Sequence, residues 1–162
     1  MNVGKIFEQD FKNSVPEGVY YLKLQDPTVS YSQTQTTRFA LKAPYDVVLC
    51  KDGQMYALEL KSVQTKSLSY GPDKSCRIKE KQAEALCDAA RSGAVAGFVL
   101  NFRKYDETYF VPAGVFKKHM ESSLSKSFSF DDAKRCGIKI PQTKKKTHYR
   151  YDVSFLLGAC SS

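Results

Sequence analysis

Residues 45–61, YDVVLCKDGQMYALELK, decide how the rest of the chain is read. Two runs rich in Val, Leu, Tyr and Ala flank Asp52-Gly53, a dipeptide favoured in two-residue type I′ turns, so the stretch predicts a β-hairpin. The turn sets the register: Lys51 faces Gln54, Cys50 faces Met55 and, counting outward, Asp46 lands opposite Glu59. Alternation places Glu59 and Lys61 on one face with Met55 and Ala57. Tyr56, Leu58 and Leu60 take the other face, expected to be the better buried. Opposed side chains have Cβ atoms about 4.5–5.5 Å apart, and like charges there repel. Two carboxylates so placed, with an ammonium two residues on, call for a cation between them. The competing reading is the solvated charged face of an ordinary strand.

Working outward, the 162 residues, 42% of them hydrophobic, suit one folded domain spanning 1–162 with a single core. No apolar run approaches the roughly 20 residues needed to cross a bilayer. The opening MNVGKIFEQDF lacks the unbroken apolar centre of a signal peptide, so a soluble, cytoplasmic protein is expected. The five cysteines are odd in number, scattered and never in a CxxC pair, which argues against a disulfide framework or a structural zinc site. Charge is more telling. The net charge is +8, and residues 117–150 hold ten basic and three acidic side chains, so nearly all the excess lies there. A near-neutral body with a basic C-terminal portion suggests a polyanionic partner, most often nucleic acid. The alternative is that Lys144-Lys145-Lys146 merely solubilises a loop.

Residues 3–14 predict a short helix, with Ile6, Phe7, Asp10 and Phe11 at helical spacing and Pro16 and Gly18 ending the pattern. Glu8 lies on the flank of that stripe, pointing along the core edge or into solvent. A strand is expected over 19–25. The polar stretch 26–42 carries Arg38 and Lys42, which either reach phosphates from a substrate-contacting loop or belong to a disordered crossover. Residues 62–77 read as another loop and 78–91 as an amphipathic helix with the stripe Ile78, Ala85, Leu86 and Ala89. Gln82 interrupts that stripe; its amide must bond to backbone or reach into a site, because an unsatisfied buried polar group costs about 1–3 kcal/mol. Residues 94–102 form a nearly continuous apolar run, as in a strand covered on both faces. A second hairpin arm over 107–111, a helix over 114–124 and a helical turn from Asp131 complete the order, before the basic stretch 142–150 and a core-like end. This succession implies an α/β fold with a mixed central sheet flanked by helices.

Asp46, then Glu59-Leu60-Lys61 about a dozen residues on, resembles the catalytic signature of the PD-(D/E)xK nucleases. The surroundings narrow the likeness. Glu8 in GKIFEQDF, Gln82 in KEKQAEAL and the stretch GFVLNFRKYDETYFVPAGVF follow in the order of the RecU-type Holliday-junction resolvases, particularly their shorter phage-encoded members. The resemblance runs from Gly4 to about Phe116, and it departs from the pattern in two places. Tyr45 stands between Pro44 and Asp46, and 26–44 is short where larger members carry a long projection that engages the junction.

The resemblance implies a restriction-endonuclease-like core and metal-dependent phosphodiester hydrolysis. Asp46 and Glu59 would bind Mg²⁺, with Mn²⁺ as substitute, and Glu8 would be a further acidic ligand, direct or through water. Lys61 would steady developing negative charge or polarise the attacking water, and Gln82 would position groups near it. Arg38, Lys42, Lys144, Lys145, Lys146 and Arg150 would hold DNA phosphates. A homodimer would supply two equivalent sites for paired, symmetric nicks in a four-way junction. Two other readings stay open: a less selective branched or flap DNA nuclease, and a non-catalytic DNA-binding recombination accessory protein whose carboxylates are structural.

Overall fold

The computed structural model describes residues 2–26 and 42–161. Helix α1 (Val3–Ser14) starts where the Asn2 side chain accepts a hydrogen bond from the Gly4 amide. Strands β1 (Tyr20–Lys23), β2 (Val47–Lys51) and β3 (Gln54–Val63) follow. Asp52 and Gly53 both have positive φ (49° and 78°), as a type I′ turn requires, and β2 and β3 pair in the predicted register from Lys51↔Gln54 to Val47↔Leu58. Next come β4 (Ser67–Gly71), β5 (Ile78–Lys79), α2 (Glu80–Arg91) and β6 (Val95–Phe102). A 3-10 turn (Arg103–Tyr105) leads into β7 (Glu107–Pro112) and α3 (Ala113–Ser122). The chain continues through β8 (Ser127–Ser129), α4 (Phe130–Cys136), β9 (Ile138–Ile140), β10 (Gln142–Lys144), β11 (Tyr149–Tyr151) and α5 (Val153–Cys160).

Six strands form the central sheet in the order β1-β2-β3-β6-β7-β9. Only β3 and β6 are parallel neighbours, and parallel strands need a crossover, which β4, β5 and α2 provide. The sheet is therefore mixed, and both its faces are covered. Tyr56, Leu58, Leu60, Val99 and Phe110 pack under α1 and α5. Ala57, Phe98, Leu100, Phe102, Tyr109 and Val111 pack under α2, α3, α4 and a small sheet of order β5-β4-β8. At Gly97 the backbones of β6 and β7 come so close that a Cβ would sit 2.3 Å from the Val111 carbonyl oxygen.

Several local expectations are corrected. The face bearing Glu59 is as well buried as the face bearing Leu58, with Ala57 and Glu59 at 0% and 1% exposure, because α2 lies over it. The stretch 62–77, read as loop, contains β4, whose Leu68 and Tyr70 are buried. Ile78 belongs to β5, pairing with Tyr70, so the helix begins two residues later than expected. The basic stretch 142–150 is a β10–β11 hairpin docked on α1. The buried Asp10 carboxylate accepts from Tyr149 N (2.9 Å) and contacts His148 Nδ1 (2.7 Å), and Ser14 Oγ accepts from Tyr151 N (3.0 Å). All five cysteines are free thiols. Among the described residues no helix is long and apolar enough to cross a membrane.

Candidate active site

The site forms where β2 leaves β3. Strand β3 runs on past the start of β2, so the amide of Leu60 faces an edge with no backbone carbonyl opposite. Asp46, the residue before β2, fills that gap: its Oδ2 accepts from Leu60 N (2.8 Å). Its own backbone is pinned on both sides, with N donating to the Leu58 carbonyl (3.2 Å) and O accepting from Leu24 N (2.8 Å). The fork thus aims the Asp46 carboxylate along the free flank of β3, towards Glu59 and Lys61.

Glu59 is 1% exposed. Its Oε1 accepts from Lys61 Nζ (2.7 Å) and from Gln82 Nε2 (2.6 Å), while Oε2 is buried with no hydrogen-bond partner. Gln82 is held from behind, because its Oε1 accepts from Lys79 N (3.0 Å) at the start of α2. That bond decides which end of the amide faces the site. Lys79 is itself fixed, its ammonium donating to the carbonyls of Asp73, Lys74 and Cys76, each at 2.7 Å. The polar break in the α2 stripe therefore reaches a carboxylate.

Burial dominates the electrostatics. It raises the Glu59 pKa to about 7; Lys61 opposes the shift and the neighbouring Asp46 carboxylate adds to it. Burial also raises Asp46, against the Leu60 amide and Lys61, with Glu8 pushing the same way as burial. A buried carboxyl in the neutral range with one unpartnered oxygen is stable in two forms: protonated, or beside a cation.

Glu8 approaches from the opposite face. It pairs with Lys23 of β1, whose register partner Val47 points into the core beneath α1, whereas Glu59 points towards α2. The sheet plane separates the two glutamates. Among the described residues no group of three or more His, Cys, Asp or Glu is close enough to hold a metal. Asp46, Glu59, Lys61 and Gln82 are brought together, and Glu8 acts on Asp46 through its charge. Lys23, Lys79 and Tyr21 were not foreseen; burial raises the Tyr21 pKa, and Glu8 and Asp46 add to the shift.

Of the basic residues, Arg38 lies outside the described residues and Lys42 is exposed. Lys144, Lys145 and Lys146 are exposed at the end of the β10–β11 hairpin, with Lys144 Nζ 6.0 Å from the centre of the Tyr149 ring. Arg150 donates to the Asn13 carbonyl, tying the hairpin to the end of α1.

A mixed sheet flanked by helices, with carboxylates at the fork of a central hairpin, is a restriction-endonuclease-like fold. The family model of recombination protein U (RecU) matches residues 19–153, and the chain belongs to that family. It is 26% identical over 172 aligned positions to the SPbeta prophage-derived uncharacterized protein YotM of Bacillus subtilis (strain 168), covering 97% of this chain and 86% of that protein. Its fold is shared with Hjc of Archaeoglobus fulgidus, a Holliday junction resolvase. The TM-score is 0.53 at 17% identity, over 84% of this chain and 95% of Hjc. The family match contains Asp46, Glu59, Lys61, Gln82 and the basic hairpin; Glu8 lies before it.

Proposed function

We propose that this protein is a divalent-metal-dependent DNA endonuclease that resolves Holliday junctions, with residues 1–162 forming one nuclease domain. The observation that carries the reading is the buried pair Asp46 and Glu59, with Lys61 and Gln82 donating to one Glu59 oxygen while the other has no partner. Such a donor set suits Mg²⁺, or Mn²⁺ in its place, since these ions take one or two carboxylates and keep several waters. Asp46 and Glu59 would hold the ion, with Glu8 outside its direct ligands. When bound, it would supply an activated water and neutralise charge on the phosphate.

The protein's own groups do the rest. Asp46 is oriented by the Leu60 amide, so one of its oxygens is fixed before any ligand arrives. Gln82 and Lys61 both favour the ionised form of Glu59 against its burial, keeping it competent to bind a cation. The Lys61 ammonium, a partly exposed point charge beside the carboxylates, can move from Glu59 to the phosphate as negative charge builds there. The Lys144–Lys146 hairpin and Arg150, with Arg38 and Lys42, supply phosphate contacts along the DNA. Two copies related by a two-fold axis would place two such sites on a symmetric four-way junction, which gives paired nicks. The prophage-derived relative fits a phage-encoded member acting in the bacterial cytoplasm.

The test compares the protein with Asp46→Asn on an immobile four-way junction and on a matching linear duplex, with Mg²⁺ and with EDTA. Paired symmetric nicks in the junction alone are expected, lost in the variant and in EDTA while binding survives. Equal cutting of both DNAs would leave the metal site standing but make this a general nuclease. Binding without Mg²⁺-dependent cutting would leave a DNA-binding accessory protein.

A further inference from the structure

Outside the carboxylate fork, Arg103 is a partly enclosed cation with no counterpart among the described residues. Arg103 opens the 3-10 turn after β6. Its Nε is enclosed and has no hydrogen-bond partner, and its guanidinium is in no ion pair with the described residues. An enclosed charged donor left unpaired is costly, and most buried polar groups avoid that state. The nearby acids do not serve it. Asp10 is taken by His148 and Tyr149 N, and Asp106 by Gln142 Nε2 (3.3 Å) and the Tyr149 hydroxyl.

Arg103 lines a cavity of about 260 Å³ between the first half of α1 and the ends of β3 and β6. Its polar lining is Ser62, Asn101 and Thr147, the last next to the lysine run, with the carboxylates of Asp10 and Asp106. The wall is rigidly held: Ser62 Oγ donates to Asn101 Oδ1 (2.8 Å), Asn101 Nδ2 to Thr108 Oγ1 (2.9 Å), and Thr108 to Gln142 Oε1 (2.6 Å). Ser62 directly follows Lys61, but alternation along β3 turns its side chain to the opposite face of the sheet, so the cavity lies on the α1 face. A preformed cavity with an unpaired planar cation thus lies on the α1 face of the sheet, lined in part by Thr147 and Tyr149 of the basic hairpin.

We propose that Arg103 is a phosphate-holding residue, gripping a DNA backbone phosphate beside the basic hairpin. This rests on the nuclease reading above. The guanidinium fork matches two phosphate oxygens, and a phosphate gives this unpaired cation its missing counter-charge. A nucleobase is the rival occupant, and it would release no counterion.

The experiment measures binding of a fluorescent four-way junction in EDTA, without cutting, across a KCl series for the native protein, Arg103→Gln and Arg103→Lys. Arg103→Gln is expected to weaken binding about tenfold and to flatten the slope of log affinity against log salt by about 0.9. Arg103→Lys keeps the slope but recovers only part of the affinity, since an ammonium lacks the fork. Equal binding and slope in Arg103→Gln would overturn the proposal, as would weaker binding with an unchanged slope, which indicates a base or a structural role. A lower melting temperature with unaltered binding would also assign Arg103 to the fold alone. Native protein that binds but never cuts would refute the nuclease reading, and the slope comparison would still decide whether Arg103 holds a phosphate.

Discussion

Replacing Glu59 with Gln tests the electrostatic core of the site without adding DNA. The Glu59 carboxyl is 1% exposed and its pKa rises from 4.5 to about 7 on folding. The folded state therefore binds the proton more tightly than the unfolded chain, and between these values the native protein carries more protons. Stability of the metal-free protein must then fall as pH rises through that window, and it levels off above it. One pKa step is worth 1.36 kcal/mol, so the full penalty on the ionised form is about 3 kcal/mol. Glu59→Gln cannot ionise and escapes this loss. Urea unfolding in EDTA at pH 5, 6, 7 and 8 should show the native protein losing about 3 kcal/mol relative to the variant, most of it between pH 5 and 7. The variant carries a constant offset, because its amide sits where Oε2 had no partner. Saturating Mg²⁺ should restore the native protein at pH 8 and leave the variant unmoved. A stability difference that is flat with pH would show that burial does not perturb Glu59, and the argument for a cation at that oxygen would fall with it.

Two more substitutions probe the supports of the site. Gln82→Ala removes the donor to Glu59 and the acceptor of Lys79 N, and loss of such a supporting residue should slow cutting or weaken Mg²⁺ binding about 10–100-fold; a Mg²⁺ titration of nicking rates would check this, and an unchanged rate would make Gln82 a helix-start residue only. Asp10→Ala strips Tyr149 N and His148 of their shared acceptor, should cost about 2–3 kcal/mol in urea unfolding, and should loosen the basic hairpin enough to weaken junction binding.

What the sequence revealed of the fold follows from how local each signal was. The hairpin 45–61 was legible because Asp52-Gly53 fixes its register within a few residues, and every later pair obeys it. α1 was legible because Ile6, Phe7, Asp10 and Phe11 recur at helical spacing and Pro16 with Gly18 ends the pattern. The strand over Val95–Phe102 announced itself by being apolar on both faces. The short strands gave no such signal. β4 is Ser-Leu-Ser-Tyr-Gly and β5 has two residues, so neither shows enough alternation to stand out, and both exist because Phe128 and Tyr70 bring them together in the core. The same reason explains Ile78: its apolar side chain fits a helical stripe in sequence, but the strand pairing with Tyr70 claims it first.

The site divides along the same line. Asp46, Glu59 and Lys61 lie on one hairpin, so counting from the turn was enough to bring the carboxylates opposite each other. Gln82 was visible as a polar residue that a buried stripe should not contain. What connects them was not visible, because it depends on the covering layers. The sheet plane between Glu8 and Glu59 follows from which face α1 packs on, which no spacing within α1 encodes. Lys23 meets Glu8 across 15 residues and His148 meets Asp10 across 138, so neither pair leaves a trace in any short window. Arg103 is the sharpest case. In sequence it opens a polar turn, Arg103-Lys104-Tyr105-Asp106, like any other. Only when α1, the end of β3 and the β10–β11 hairpin close around it does its enclosed Nε lack an acceptor. A pattern of residues can show which groups a chain places close together, but an unmet hydrogen bond appears only after the chain has packed. The two unmet bonds among the described residues, at Glu59 Oε2 and Arg103 Nε, belong to groups of opposite charge; a metal ion would satisfy the first, and the phosphate backbone of DNA would balance the charge of the second.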